Sequence, residues 1–293
     1  MNIISKIDQK DRFYYNSEFL GSSSGRSIRI LSEYYGPLQR FERNNISDTI
    51  VFFGSARTPS KEDAQKALDN APANTDSKTM ARLKMDLRMS RYYEDARELA
   101  KRFTIWSKEL KSKKHRYIIC SGGGPGIMEA SNRGASEAGG INVGLTISLP
   151  FESSGNEWIS SDMDMKFHYF FMRKFWFLYL AKALIVWPGG FGTLDELMEL
   201  LTLIQTKKIK KRLPIVLYGK EFWKKVVNWN YLVEIGAISP EDLDLFHISD
   251  EIGQTFQYVT DFLNKNELKL SLIHISEPTR RTTISYASRG TFM

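Results

Sequence analysis

The chain carries one cysteine, Cys120, in 293 residues. No intrachain disulfide can form, and no cysteine-based metal spacing exists. Histidine is also scarce. The four present are scattered, with no His-x-Glu or His-Glu-x-x-His pattern, so no zinc-hydrolase motif is offered. Neither a metal nor a cofactor is expected. Long hydrophobic runs are missing as well. The greasiest stretch, Phe175 to Trp187, is interrupted by Lys182 and is too short to span a bilayer. Met1 to Phe13 lacks the apolar centre of a signal peptide. No basic stretch is interleaved with aromatics in the way a nucleic-acid groove requires. The expectation is a soluble, cytoplasmic protein without a membrane or nucleic-acid partner.

What is present suits a folded enzyme-sized domain. Apolar residues make up 42% and aromatics 13%, enough for a sizeable core. The formal net charge is +7, and Arg280, Arg281 and Arg289 against Glu277 place two of those charges in the last segment. The remainder can attract a phosphate or another anion, or mark only a mildly basic protein. The cluster Lys207, Lys208, Lys210, Lys211 and Arg212 reads as the end of a helix, where cations suit the dipole.

Along the chain, residues 1–47 are polar and aromatic and read as an N-terminal extension lying on the domain or on a partner subunit. Thr49 to Phe53 is a short apolar run ending at Gly54, a buried strand. Pro59 to Lys78 reads as polar loop, and Met80 to Leu110 as a long amphipathic helix. Tyr117 to Cys120, Val143 to Leu149, Ala183 to Trp187 and Pro214 to Leu217 read as further buried strands. Phe167 to Lys182 reads as an aromatic helix around Phe175 and Trp176 that suits a subunit contact. Leu194 to Thr206 is a helix, and helical patterns run from Lys220 and from Gly253 to Asn264. Strand, glycine turn and helix alternate. The strands are continuous apolar runs, as expected when both sheet faces are covered. The fold class is therefore α/β: a Rossmann-like doubly wound parallel sheet in three layers, α/β/α, spanning 48–266. Residues 267–293 form a tail with no continuous pattern. Ser271 to Arg281 resembles translated adapter read-through at the end of an assembled gene, and the alternative is an ordinary disordered tail.

Two glycine loops carry the chemistry. Ser121-Gly122-Gly123-Gly124-Pro125-Gly126 follows one strand and opens a helix. Glycine lets backbone approach a ligand closely, and the free N–H groups of a helix start suit a phosphate. Pro125 fits a first helical turn. The spacing is neither a Walker loop nor a clean Gly-x-Gly-x-x-Gly, so a phosphate cradle and a tight structural turn both remain. The second loop, Pro188-Gly189-Gly190-Phe191-Gly192-Thr193-Leu194-Asp195-Glu196, also lies between strand and helix. Two such loops at the carboxyl ends of one sheet converge on one crevice, which favours a phosphorylated ligand.

Glu196 has two readings. Thr193-x-x-Glu196 has capping-box spacing. Yet Leu200 and Leu203 lie one turn on, so its face is partly buried beside an anion site, a costly place for a carboxylate that only caps. Arg173 and Lys174 sit inside Phe167-His-Tyr-Phe-Phe-Met-Arg-Lys-Phe-Trp-Phe. They either bury their stems with heads in solvent or turn into the crevice.

Taken together, residues 121–130, Arg173-Lys174 and 188–196 resemble the Lonely Guy family, whose members were often labelled lysine decarboxylases. The resemblance covers roughly Asp48 to Asn264, and Gly54-Ser55-Ala56-Arg57 is similar to the Gly-Ser turn after the family's first strand. It implies a dimer or multiple of dimers, and hydrolysis of a nucleoside 5′-monophosphate to free base and ribose 5-phosphate. It places the family's essential arginine and glutamate on Arg173 and Glu196, and its phosphate loop on Gly189, Gly190, Gly192 and Thr193. Ser55, Gly122, Gly123, Gly124 and Lys174 join the expected binding set. Arg173 is expected either to bind the phosphate or to hold Glu196 ionised. Plant-type members carry Met-His-x-Arg-Lys here, whereas this chain has Phe170-Phe171-Met172-Arg173-Lys174. The segment Pro59 to Met89 is also longer than the compact form. Both departures leave the base open between cytokinin nucleotides and ordinary purine or pyrimidine monophosphates, AMP among them. The competing reading is a non-catalytic nucleotide or cofactor binder, a sensor or carrier, on the same fold. A true lysine decarboxylase would need a pyridoxal phosphate lysine, and no sequence context marks one.

Overall fold

The computed structural model describes residues 12–110, 112, 114–148 and 155–268. The strands are β1 (Thr49–Phe53), β2 (Ile118–Ser121), β3 (Asn142–Ile147), β4 (Asp164–Phe167), β5 (Ala181–Val186), β6 (Ile215–Tyr218) and β7 (His247–Ser249). The helices before β2 are α1 (Ser17–Gly21), α2 (Arg26–Arg43), α3 (Lys61–Asp69), α4 (Ser77–Met89) and α5 (Arg91–Glu109). After it come α6 (Ile127–Glu137), α7 (Phe170–Tyr179), α8 (Phe191–Gln205), α9 (Lys220–Val226), α10 (Trp229–Glu234) and α11 (Ile252–Leu263). The strands form one parallel sheet in the order β4-β3-β2-β1-β5-β6-β7. The fold is the doubly wound α/β architecture expected from the sequence.

Side-chain alternation along each strand divides the core in two. From β1, Ile50 and Phe52 join Ile119, Ala183 and Ile185 under α5, α6 and α11. Val51 and Phe53 point the other way, with Cys120, Leu184 and Val186, and are covered by α2, α7, α8, α9 and α10. All five side chains of β1 are buried, as the covering of both faces demands.

Several elements differ from expectation. The region read as loop after Pro59 contains α3. Ser60 caps it by accepting from the Asp63 N–H, and Lys66 pairs with Glu62 one turn away. Only Ala64 is buried there, so its helical pattern is nearly invisible. The single helix expected over 80–110 is two, α4 and α5, meeting at Ser90. Strands β4 and β7 were not expected because they are short sheet edges. In β4 only Met165 and Phe167 are buried, so no apolar run announces it. The aromatic helix is shorter than expected, and the last residue of the third expected strand, Leu149, lies outside the described residues, as does the tail from residue 269. The lysine cluster falls just past the end of α8, where Lys207 has the left-handed φ of 58° that terminates a helix.

The N-terminal helices lie on the domain. The Glu33 carboxylate accepts from the backbone N–H groups of His168 and Tyr169, at 2.7 and 3.2 Å. The Trp176 indole donates to the Glu33 carbonyl oxygen at 2.9 Å, and Phe41 packs on the same ring at 5.5 Å. Trp176 is therefore core beneath α2 and is not available for the subunit contact foreseen for it; Phe171, Phe175 and Tyr179 of α7 are exposed.

Helices α5 and α6 approach closely at Gly134. A Cβ there would collide with the carbonyl oxygen of Arg97. Gly134→Ala is expected to destabilise the fold by about 1–3 kcal/mol through forced separation of the two helices. A denaturation midpoint lowered at unchanged slope would register that cost.

Candidate functional site

Strand order reverses between β1 and β5, since β2 to β4 extend to one side and β5 to β7 to the other. Loops leaving adjacent strands there diverge and open a crevice at the carboxyl ends. Ser55 ties three loops together at that point. Its N–H donates to the Pro188 carbonyl at 3.1 Å, and its carbonyl accepts from the Ile127 N–H at 3.0 Å. Its hydroxyl accepts from the Arg57 N–H at 3.0 Å.

The first glycine loop is shaped by need rather than by composition. Gly123 and Gly126 have φ of 72° and 70°, conformations that side chains rarely tolerate. A Cβ at Gly126 would run into the backbone of Ser55 and Ala56. A buried amide network holds the loop. The Asn156 side chain donates to the carbonyls of Gly123 and Gly124, at 3.0 and 3.1 Å, and to the Asn132 amide oxygen at 3.0 Å. That oxygen also accepts from Ser121 Oγ at 2.7 Å, and the Asn132 amide nitrogen donates to Asn142. Gly126 is the N-cap of α6, so Pro125 stands outside the first turn where the sequence placed it.

The second loop starts α8 earlier than expected. Gly190 is the N-cap and Phe191 the first helical residue. Thr193 is thus in the first turn, Glu196 lies nearly two turns in, and the foreseen capping box does not form. The first intrahelical bond is Leu194 N–H to Gly190 O, at 3.0 Å. The N–H groups of Phe191, Gly192 and Thr193 therefore have no acceptor within the helix, the arrangement that attracts anions. No atom crowds Gly190 or Gly192, whereas a Cβ at Gly189 would strike Thr193.

These loops surround a cavity of about 620 Å³, within the range of small-molecule sites. Of the expected residues, Ser55, Gly122, Gly124, Arg173, Gly190, Gly192, Thr193 and Glu196 line it. Gly123, Lys174 and Gly189 do not. Gly123 faces Thr146 and Ile159, and Gly189 lies under Thr193. Lys174 instead bonds Asp195 and Glu199, each at 2.8 Å. Burial opposes its charge, but the two carboxylates outweigh that and hold its pKa above the ordinary value. It clamps α7 to α8 and is not placed to touch a phosphate in the cavity. Reasoning from sequence missed Arg57, Thr146 and Lys166, which also line the cavity, together with the apolar Phe53, Met128, Phe170 and Phe177. Arg57 stood beside Ser55 in a recognisable turn. Lys166 carried no signal because β4 itself was not recognised, and Thr146 lay within the expected strand β3 with nothing local to mark it.

Arg173 and Glu196 come together in the wall of the cavity. The Arg173 Nη2 to Glu196 Oε1 distance is 3.7 Å, with side chains 15% and 8% exposed. That is an ion pair, too long for a direct hydrogen bond. The guanidinium lies over the Phe170 and Phe177 rings, 5.1 and 5.5 Å from their centroids, so its charge is partly held by π faces. Burial pushes the Glu196 carboxyl up to about 7, against the lowering pull of Arg173 and then Lys174. Cys120 is buried in β2, and burial raises its thiol far above the range of a nucleophile.

No described helix is long and apolar enough to cross a membrane. No curated protein matches the chain. Among solved structures, the structural-genomics target TM1055 is 19% identical over 73% of this chain and 99% of its own, with a TM-score of 0.42. The molybdenum cofactor carrier protein of Chlamydomonas reinhardtii is 18% identical over 74% of this chain and 99% of its own, with a TM-score of 0.38. At such scores neither neighbour bears on the chemistry of the site. The family model described as "Possible lysine decarboxylase" matches residues 128–259, the stretch from α6 to α11 that contains Arg173, the second glycine loop and Glu196. The match covers less than half of the chain; it makes that stretch similar to the Lonely Guy family, whose motifs the sequence resembles, and this likeness points to a nucleotide-related function.

Proposed function

We propose that the protein hydrolyses the N-glycosidic bond of a nucleoside 5′-monophosphate. The observation that carries this reading is a buried carboxylate, Glu196, sharing one cavity with the open N-terminus of α8. The 5′-phosphate sits on the N–H groups of Phe191, Gly192 and Thr193, with Arg57 adding charge at the rim. This fixes the ribose, converting phosphate binding into alignment of the reacting carbon. The bond between C1′ and the base nitrogen breaks, and its electron pair leaves with the base. Positive charge develops on the ribose, and Glu196 stabilises it from a site of low dielectric. Water adds its oxygen to C1′. Its proton passes to Glu196 and then to the departing base, leaving ribose 5-phosphate. Arg173 keeps Glu196 ionised before the reaction. The exposed rings of Phe171, Phe175 and Tyr179 suit a contact with a second copy of the chain.

Lysine decarboxylation would call for pyridoxal phosphate. That group needs a lysine for a Schiff base and a partner for its pyridinium nitrogen. Among the described residues the lysine lining the cavity is Lys166, exposed on the edge strand β4, while the cavity carboxylate Glu196 already faces Arg173. These residues do not fit the group.

The test is incubation with AMP, GMP, CMP, UMP, IMP and isopentenyl-AMP, with chromatographic detection of free base. Release of base and ribose 5-phosphate in equal amounts is expected. Protection against heat without release would instead identify a nucleotide carrier or sensor.

A further inference from the structure

The cavity does not end at the phosphate. Strand order carries it from α8, which follows β5, across β1 and β2 to β3 and β4. Thr146 of β3 and Lys166 of β4 line this far end. Met128 and Phe177 provide the apolar walls between, surfaces suited to the faces of a heterocycle. The two polar groups have fixed and opposite hydrogen-bonding character. A lysine ammonium only donates. Thr146 Oγ1 donates its proton to Asp164 Oδ1 at 2.8 Å. Its hydroxyl can then offer a ligand only lone pairs. Asp164 is itself anchored, accepting from the Gly155 N–H at 3.2 Å through its other oxygen.

With the phosphate on α8, the end of the nucleotide that reaches β3 and β4 is the base. We propose that Lys166 and Thr146 read the base edge and select nucleotides whose ring carbonyl adjoins a ring N–H. Hypoxanthine, guanine and uracil have that edge; adenine and cytosine have the reverse. Lys166 donates to the carbonyl oxygen, and the ring N–H donates to Thr146. In the same pose adenine would set an amino group against the ammonium, donor against donor. A site built around one hydrogen-bonding pattern rejects the analogue that reverses it. This inference rests on the reading of the cavity as a nucleotide site, but not on hydrolysis.

The experiment is titration calorimetry of IMP, AMP and ribose 5-phosphate against Glu196→Gln protein, alone and combined with Lys166→Met or Lys166→Arg. IMP is expected to bind about tenfold more tightly than AMP, a preference in the range of one well-placed polar contact. Lys166→Met should abolish the preference, Lys166→Arg should keep it, and ribose 5-phosphate should bind all three alike. Because Lys166 is exposed on an edge strand, either substitution leaves the core intact, and circular dichroism checks this. Equal or tighter binding of AMP, or a preference that survives Lys166→Met, overturns the inference. So does weakened ribose 5-phosphate binding in Lys166→Met, which would put the phosphate at β4. Base-release assays on the wild type separate the two readings. Preference without release sinks hydrolysis alone, and release without preference sinks base selection alone.

Discussion

Glu196→Gln is expected to lower turnover of a nucleoside monophosphate by on the order of 10³-fold, within the span of a positioned acid–base group, and to leave nucleotide affinity within a few-fold of wild type. Glutamine preserves the volume of a side chain that is only 7% exposed. It removes the negative charge that would face the developing charge on C1′ and the site that would accept the water proton. Because the phosphate-binding N–H groups belong to the backbone at the start of α8, the substitution does not touch them. The loss should therefore fall in kcat rather than KM. The wild-type pH profile supplies an independent check. Burial raises the Glu196 carboxyl to about 7, and the reactive form is the carboxylate. Activity must then rise with pH up to about 7 and level off above it, falling about tenfold per pH unit on the acid side. An acid limb near the ordinary carboxylate range would show that Glu196 is not the titrating group. Unchanged kcat in Glu196→Gln would remove it from the mechanism.

The two glycine loops were legible in the sequence because their chemistry is local. A strand, a run without Cβ atoms and a helix start lie within ten residues, and backbone geometry does the rest. The all-parallel sheet was legible for a related reason: central strands buried on both faces read as unbroken apolar runs. What the sequence did not reveal depends on side chains meeting from distant segments. Lys174 reads as a candidate phosphate ligand because it adjoins Arg173, yet one helical position turns it away from the cavity toward Asp195 and Glu199. Thr193 and Glu196 have capping-box spacing, but α8 begins at Phe191, and a shift of three residues turns the expected cap into a first-turn threonine and a buried carboxylate. The amide network of Ser121, Asn132, Asn142 and Asn156 joins four segments, none of which signals its partners. Edge strands β4 and β7 are half-polar, so the cavity wall formed by Lys166 was invisible along with its strand.

Arg173→Met should move the acid limb of activity upward by about one pH unit or more, as expected when an opposite charge a few ångströms away is lost. Methionine keeps much of the apolar stem between Phe170 and Phe177 while deleting the cation. Arg173 is the largest influence opposing the burial of Glu196. Without it the carboxyl stays protonated at neutral pH, and a limb that moves by one pH unit corresponds to about 1.36 kcal/mol of lost preference for the carboxylate. Turnover at pH 7 should fall about fivefold or more and recover in part at higher pH, because the missing charge is restored by titration. Arg173→Lys should lie between methionine and wild type. A lysine supplies charge without the planar fork that covers two rings at once. The alternative role, contact with the phosphate, has a different signature. KM would rise, affinity for ribose 5-phosphate would fall, and the acid limb would stay in place. The geometry favours the first outcome. Arg173 and Glu196 are 3.7 Å apart in a largely buried pair, whereas the start of α8 offers three backbone donors to a phosphate without help from α7. A KM effect with an unmoved limb would therefore reassign Arg173 from the partner of the carboxylate to a ligand of the phosphate, and would leave Lys174 as the nearest remaining cation to account for the ionisation of Glu196.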